Sequence, residues 1–374
     1  MIKLLTDIVL SVAGFQLMLL AIVLLIQKSK NRLNRNLLVA FLLTKAFLMF
    51  RWFVFRFEIL TYKEFIYTYH ISKSAFFLLA PLLYFYIRSL CYKDFKFRKF
   101  DLLHLVLFLL IVGFNIISVK MSLAGIENIW YKIFDNHHYQ IFWTLNLIQI
   151  LCYIIAMLRT VYIYQTKIKD IYSSIEKINL NWLVMLLMLI SLHWLFVTSR
   201  AILVLLNITT GDLIQIIDLY SITIFLVFTT ILVFKGMAQL KIFTGIKDKP
   251  KYAELKLPEP EIQKHVNQLT QYMSTEKPYL IPSLTIEDVS QKLSIPTWQL
   301  SQVINSTFKQ NFFNFINRYR IEEVKQQLKK KSSSKKTILE ILYEAGFNSK
   351  STFNQVFKKH TGMTPSEFKR MNLS

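Results

Sequence analysis

Over its first 235 residues the chain repeats one pattern, a run of apolar residues followed by a short polar connection. Seven such runs lie near 8–26, 37–57, 71–90, 102–119, 139–158, 183–206 and 213–234. Each is about long enough to cross a bilayer as a helix, which takes roughly 20 residues. Past residue 260 the pattern changes, and apolar positions fall at helical spacing on short, otherwise polar stretches. Ile262, Val266, Leu269 and Met273 make the first such stripe, predicting an amphipathic helix over 261–275. The expected fold class is all-α. A polytopic bundle of seven transmembrane helices precedes a cytoplasmic all-α domain.

Within that last part the pattern occurs twice. Ile286, Val289, Leu293 and Ile295 fall on Ile338, Ile341, Ala345 and Phe347 at an offset of 52. Leu300, Gln302, Val303 and Ile304 fall on Phe353, Gln355, Val356 and Phe357 at an offset of 53. Two helix-turn-helix units are therefore expected, near 285–308 and 337–360, with a joining helix near 312–330. Thr285 with Asp288, Thr337 with Glu340 and Thr364 with Glu367 each spell a capping box that starts a helix. Breakers separate the helices of each pair: Ser294, Ile295 and Pro296 in the first, Gly346, Phe347 and Asn348 in the second.

The second helix of each unit carries a polar outer face. In the first it comprises Trp298, Ser301, Gln302 and Asn305; in the second, Lys350, Ser351, Asn354, Gln355 and Lys358. Amides can bond adenine bidentately, hydroxyls several bases, and lysines guanine or phosphate. That is the chemistry of a recognition helix in a major groove. Residues 284–370 resemble the DNA-binding domain of the AraC/XylS family of transcription regulators. The resemblance rests on the paired units, the joining helix FFNFINRYRIEEVKQQL and the run GFNSKSTFNQVFKKHTGMTP. It implies that both second helices enter the groove, adds Thr352 to the DNA-reading set, and makes double-stranded DNA the partner. It covers roughly the last quarter of the chain.

Composition and charge fit this division. Hydrophobic residues make up 53% of the chain, with 31 Phe. Of eight prolines only Pro81 precedes Pro250, which marks a boundary near 236–260. The expected domains are a sensor over 1–235, a juxtamembrane linker over 236–260 and a DNA-binding domain over 261–374. Of the net charge of +22, residues 1–250 carry +14. Alternate connections hold thirteen basic residues (Lys28, Lys30, Arg32, Arg35; Arg88, Lys93, Lys96, Arg98, Lys99; Arg159, Lys167, Lys169, Lys177), against Lys3, Lys63, Lys120 and Lys132 on the other side. The positive-inside rule makes the first set cytoplasmic, so the N-terminus lies outside and the C-terminus inside, with the DNA. The expected location is the bacterial inner membrane. The first run lacks a strongly basic start and a small-residue cleavage site and reads as a retained helix. Cys91 and Cys152, the two cysteines, are expected as free thiols and offer no zinc pattern.

Charged side chains inside the runs are costly and therefore informative. Arg200 and Asp218 stand at similar depth on consecutive runs and are expected to face each other, either as a static pair or as part of a gate. Arg51 and His193 are further candidates for a ligand site in the bundle. Arg56 and Lys73 read as side chains snorkelling to outer headgroups. His70, His137 and His138 gather outside without acidic partners, so no metal is expected. Trp52, Trp143 and Trp182 read as interfacial anchors. The longest outer connection, 120–138, is too short for a domain, so the bundle itself must read any input.

The leading expectation is a membrane-embedded one-component regulator, with no cofactor and no enzymatic activity. Its further partners would be membrane lipid, a small-molecule or lipophilic effector, a second copy, and RNA polymerase if it activates. The alternative is a transporter or membrane receptor whose helical tail is a regulatory or interaction module. An intramembrane enzyme would need paired carboxylates or a nucleophile with its base, and the runs offer neither.

Overall fold

The computed structural model describes residues 2–26, 31–56, 68, 71–123, 129–176, 178–206, 208, 211–242, 257–329 and 336–373. His70, the linker residues 243–256, the lysine-rich loop 330–335 and the flanking lysines Lys28, Lys30, Lys63 and Lys177 lie outside the described residues. So do the side chains of Lys3, Trp52, Arg56, Lys132, His137 and His138. The described residues are helical apart from turns and one isolated bridge, and they form two compact units. One unit comprises Met1–Tyr162 and Asn181–Asp248, the other Ile163–Leu180 and Lys249–Ser374.

The first unit contains α1 (Ile2–Ile26), α2 (Arg32–Arg56), α3 (Phe76–Cys91), α4 (Val106–Leu123), most of α5 (Ile129–Ile171), α6 (Asn181–Leu205) and α7 (Gly211–Ile242). Among the described residues, seven helices are long and apolar enough to cross a membrane. Their apolar residues face both ways: Leu17, Leu24, Leu38 and Phe77 are buried, whereas Phe15, Leu109, Tyr162 and Met188 are exposed. A helix apolar all round has no solvent face of its own. Helix α1 packs on α2 and α7, α2 on α3, and α6 on α7. Polar side chains cross between elements as well. Asn115 donates to Ser74 Oγ at 2.9 Å, Gln149 to the Phe77 carbonyl at 3.1 Å, and Trp194 to the Leu147 carbonyl at 3.3 Å.

The second unit holds α8 (Glu259–Thr275), α9 (Ile286–Leu293), α10 (Thr297–Thr307), α11 (Phe312–Lys329), α12 (Ile338–Glu344), α13 (Lys350–Thr361) and α14 (Pro365–Leu373). It has two cores. Leu269 and Met273 of α8 join Ile286, Val289, Leu300, Ile304 and Phe315 in one, so the amphipathic helix covers the first helix-turn-helix. In the other, Ile321, Val324 and Leu328 of α11 pack with Ile341, Phe347, Phe353 and Phe357. Helix α11 thus contributes to both cores and spaces the two helix-turn-helix motifs. The connection between α5 and α6 also belongs here, tied to the end of α5: Tyr164 OH donates to the Ile178 carbonyl at 2.5 Å and Gln165 Nε2 to that of Asn179 at 3.1 Å.

Candidate nucleic-acid interface and the arginine hub behind it

All three capping boxes are formed. The amides of Thr285, Thr337 and Thr364 donate to Asp288, Glu340 and Glu367 at 2.8, 2.7 and 2.7 Å. The reciprocal bonds, from residue N3 to the threonine hydroxyl, measure 3.2, 3.1 and 3.3 Å. These bonds, first from the backbone amide and then from the hydroxyl, hold the Glu340 carboxyl below its ordinary range, and the bonds from Thr364 do the same for Glu367. The turn of each unit needs left-handed backbone. Ser294 takes φ +55° between α9 and α10, and Gly346 takes φ +87° between α12 and α13. Serine tolerates this at some cost, whereas glycine meets no steric penalty. At Gly346 space matters too: a Cβ there would lie 2.6 Å from the Tyr279 carbonyl oxygen.

These turns set the faces of the two recognition helices. On α10, Leu300, Val303 and Ile304 are buried, which turns Trp298, Ser301 and Gln302 to a half-exposed stripe that continues to exposed Asn305. Asn305 Nδ2 reaches Ser301 Oγ at 3.4 Å. On α13, Phe353, Val356 and Phe357 are buried, leaving Lys350, Ser351, Asn354, Gln355 and Lys358 exposed and Thr352 half-buried. Ser349 caps α13, its hydroxyl accepting from the Thr352 amide at 3.4 Å. Each helix therefore presents amides and hydroxyls together, and α13 adds two lysines. Such a surface can bond base edges and phosphates.

Behind the helices lies a group that pattern reading missed. Arg320 of α11 is 1% exposed and makes no direct ion pair among the described residues. Its guanidinium instead gathers carbonyls. Nε donates to Tyr279 O at 2.7 Å, Nη2 to Ile281 O at 2.9 Å, and Nη1 to Ser173 O at 3.3 Å. Nη2 also reaches Ser173 Oγ at 3.1 Å, and the guanidinium carbon lies 5.7 Å from the Phe347 ring centroid. Burial lowers the Arg320 pKa to about 10, with the Glu176 carboxylate opposing the shift, so the group stays charged. Four segments meet on it: α11, the strap 277–284 before the first unit, the turn of the second unit, and the α5–α6 connection.

That connection is held by more than Arg320. Ser173 N–H and Oγ both donate to Leu284 O, at 3.1 and 2.7 Å, and Tyr172 pairs with Thr285 in an isolated bridge. Asn317 Nδ2 donates to Ser173 O at 3.4 Å, and Asn348 Nδ2 to Ser174 Oγ at 2.9 Å. Asn348 also donates to Pro282 O at 3.1 Å, binding the second unit's turn to the strap. Glu323, further along α11, accepts from Lys277 at 3.2 Å and Tyr279 OH at 3.3 Å. Burial pushes its carboxyl up, but these bonds and one from Gln327 outweigh burial and bring it below the ordinary value.

The four candidate ligand residues of the bundle do not converge on one site. Arg200 Nε and Asp218 Oδ1 pair at 2.9 Å, and Arg51 lies 6.0 Å from the Phe76 ring centroid. His193 lines a cavity that none of those three residues touches. Among the described residues no cluster of His, Cys, Asp or Glu could hold a metal ion.

Two helix-turn-helix units joined by one helix and facing outward with amides and lysines define a class, and residues 289–371 match the family model described as a helix-turn-helix domain. The C-terminal part of the chain is a helix-turn-helix domain of the AraC type, the DNA-binding domain of transcription regulators. Over 51 residues the chain is 49% identical to the uncharacterized HTH-type transcriptional regulator in the cgkA 5' region of Pseudoalteromonas carrageenovora, covering 14% of this chain and 31% of that one. It is 28% identical over 86 residues to the probable transcription factor PqrA of Proteus vulgaris, covering 23% and 68%. It is 29% identical over 90 residues to the melibiose operon regulatory protein of Escherichia coli K12, covering 24% and 29%. The chain thus spans under a third of the first and third relatives and about two thirds of the second. No solved structure matches.

Proposed function

We propose that the chain is a membrane-embedded one-component transcription regulator, not an enzyme. In this reading residues 1–235 cross the bacterial inner membrane seven times, with the N-terminus outside. Residues 236–260 are a linker, and 261–374 bind double-stranded DNA in the cytoplasm through α10 and α13. The all-round apolar helices support membrane embedding, because bilayer lipid is the solvent such surfaces need. Trp298, Ser301, Gln302, Asn305, Lys350, Ser351, Thr352, Asn354, Gln355 and Lys358 are the proposed DNA contacts. Lipid surrounds the bundle, a lipophilic effector is its input, and a second copy and RNA polymerase are the expected protein partners.

One observation carries the proposal of signal control. The α5–α6 connection, flanked in sequence by two membrane-length helices, is built into the Arg320 hub that holds both helix-turn-helix units. A shift of those helices would reach the DNA-binding domain through Ser173. The test is genome-wide chromatin immunoprecipitation of the full-length tagged protein, beside Gln302→Ala/Gln355→Ala. Discrete peaks that vanish in the double variant are expected. No peaks from either protein, and no sequence preference in the purified cytoplasmic segment, would overturn the reading in favour of a transporter or receptor with a helical interaction tail.

A further inference from the structure

A cavity of about 170 Å³ lies inside the first unit, walled by α2, α3, α5, α6 and α7. Its lining is almost wholly apolar, with Phe41, Phe76, Trp143, Trp194 and Phe225 supplying aromatic faces. Three polar side chains break the apolar wall: Lys45, Asn146 and His193. His193 is satisfied from within, its Nδ1 meeting the hydroxyl and carbonyl of Ser221 at 2.9 and 3.0 Å. The other two are not. Asn146 is 2% exposed, yet its Nδ2 has no partner among the described residues. Lys45 is the charged residue of the lining; its Nζ lies 4.3 Å from the Phe225 ring centroid and makes no ion pair among the described residues.

A buried amide donor without an acceptor is rare in folded proteins, as is a membrane-depth cation without a counter-charge. Both shortfalls here are of donors, and both end in one cavity. What they lack is an acceptor, and Lys45 asks that it be an anion. The walls ask that everything else in the ligand be apolar. An engineered cavity of roughly 150 Å³ accommodates benzene, so the space suits a ring or a short chain rather than a whole phospholipid.

We propose that this cavity binds a small lipophilic carboxylate, with its headgroup on Lys45 Nζ and Asn146 Nδ2 and its apolar body among the aromatic walls. The inference deepens the proposed function by naming the class of effector that the bundle reads. Neither Lys45 nor Asn146 is among the candidates expected from the sequence, and the Arg200–Asp218 pair plays no part in it.

The test uses the full chain in phosphatidylcholine nanodiscs and three probes of one shape: 8-bromooctanoate, 8-bromooctanol and 8-bromooctylamine. Bromine quenches tryptophan fluorescence, and Trp143 and Trp194 line the cavity. The acid should quench saturably, with the alcohol roughly 30-fold weaker and the amine weaker still, as expected for loss of a charge-assisted bond. Lys45→Met should weaken the acid by about 30-fold and leave the alcohol unchanged, and Asn146→Leu should weaken the acid by about fivefold. Lys45→Arg should retain the preference for acid, which separates loss of charge from misfolding. Trp143→Phe/Trp194→Phe should remove most of the quenching.

Equal binding of acid and alcohol, indifference to Lys45→Met, or quenching that survives the tryptophan changes would overturn the assignment. Loss of acid binding in phosphatidylglycerol nanodiscs at high salt, where surface repulsion of the probe is screened, would overturn it too, in favour of an anionic lipid headgroup at the same donors. Binding is read without DNA, so failure here leaves the immunoprecipitation result standing, and success here does not depend on that result.

Discussion

Ser173→Ala removes a single hydroxyl from the hub. Its Oγ accepts from Arg320 Nη2 at 3.1 Å and donates to Leu284 O at 2.7 Å, and the residue is 1% exposed. Neither former partner is orphaned by the change. Nη2 keeps Ile281 O at 2.9 Å, and Leu284 O keeps the Ser173 amide at 3.1 Å. The cost is therefore at the low end for a bond to a charged group, about 1.5–2 kcal/mol. That corresponds to roughly a 10- to 30-fold rise in the open population of residues 172–176. The Ser173 amide reports this opening directly, since its hydrogen points at Leu284 O. Hydrogen exchange by mass spectrometry on the full chain in nanodiscs should show the peptide across 172–180 exchanging faster by that factor. Peptides from α10 and α13 should be unchanged. Ser174→Ala loses the contact with exposed Asn348 and a 2.6 Å bond to Glu176 Oε2 that lies within the connection itself, and it should accelerate exchange by no more than about threefold. Unchanged exchange would refute the bonding scheme, and equal acceleration throughout the second unit would refute the claim that the connection opens on its own.

Other expectations follow from the same geometry. Gly346→Ala imposes a positive φ on alanine and pushes its Cβ to 2.6 Å from the Tyr279 carbonyl oxygen. It should cost about 2–4 kcal/mol of domain stability, read by denaturant-dependent proteolysis of the second unit. Gln302→Ala or Gln355→Ala should each lose about 1–3 kcal/mol of discrimination between operator and random DNA. Lys358→Ala should weaken both alike and reduce the salt slope by about 0.9, and equal losses for all three variants would remove the assigned roles. Glu340, Glu367 and Glu323 have carboxyl pKa values lowered by folding, so their contribution is present above the ordinary glutamate range and lost as pH falls through the lowered values. Exchange protection at the starts of α12 and α14, corrected for intrinsic rates, should therefore fall below about pH 4.3, while the start of α13, capped by Ser349 without a carboxylate, holds.

Much of this architecture is legible in the sequence, because local rules decide it. The seven apolar runs reappear as seven helices of membrane length, and the three Thr-x-x-acid patterns reappear as closed capping boxes. Gly346 is legible as a breaker, but the carbonyl that crowds it is 67 positions away in sequence. The hub is not legible for the same reason. In NRYRIEEVKQQ, Arg320 looks like one more charge on an amphipathic helix, and nothing nearby says that it is buried. Its partners come from residues 173 and 279–282, and segment-to-segment pairing leaves no periodic trace. Lys45 is hidden differently. It stands nearer the middle of the 37–57 run than Arg51 or Arg56, so depth marks it as costly, but the cavity it shares with Asn146 exists only once five helices are assembled.

The size of the hub bears on the proposed control. A signal can move the DNA-binding domain only by as much as the connection interacts differently with its two states. Ser173 and Ser174 exchange six hydrogen bonds with Leu284, Asn317, Arg320 and Asn348. At a net of about 0.5–1.5 kcal/mol each they hold roughly 3–9 kcal/mol. Turning a domain from 1:99 to 99:1 takes about 5.5 kcal/mol, so withdrawal of this one segment is large enough to be the whole switch. It would act by position and not by protonation, because Arg320, with its pKa near 10 even when buried, carries its charge whether or not Ser173 is in place. Without Ser173 the guanidinium would still bond the strap, leaving the attachment of the first helix-turn-helix to α11 intact. What would loosen is the closure across Ser174 and Asn348, and with it the turn of the second helix-turn-helix. On this reading the signal changes the alignment of α13 relative to α10 rather than the fold of either.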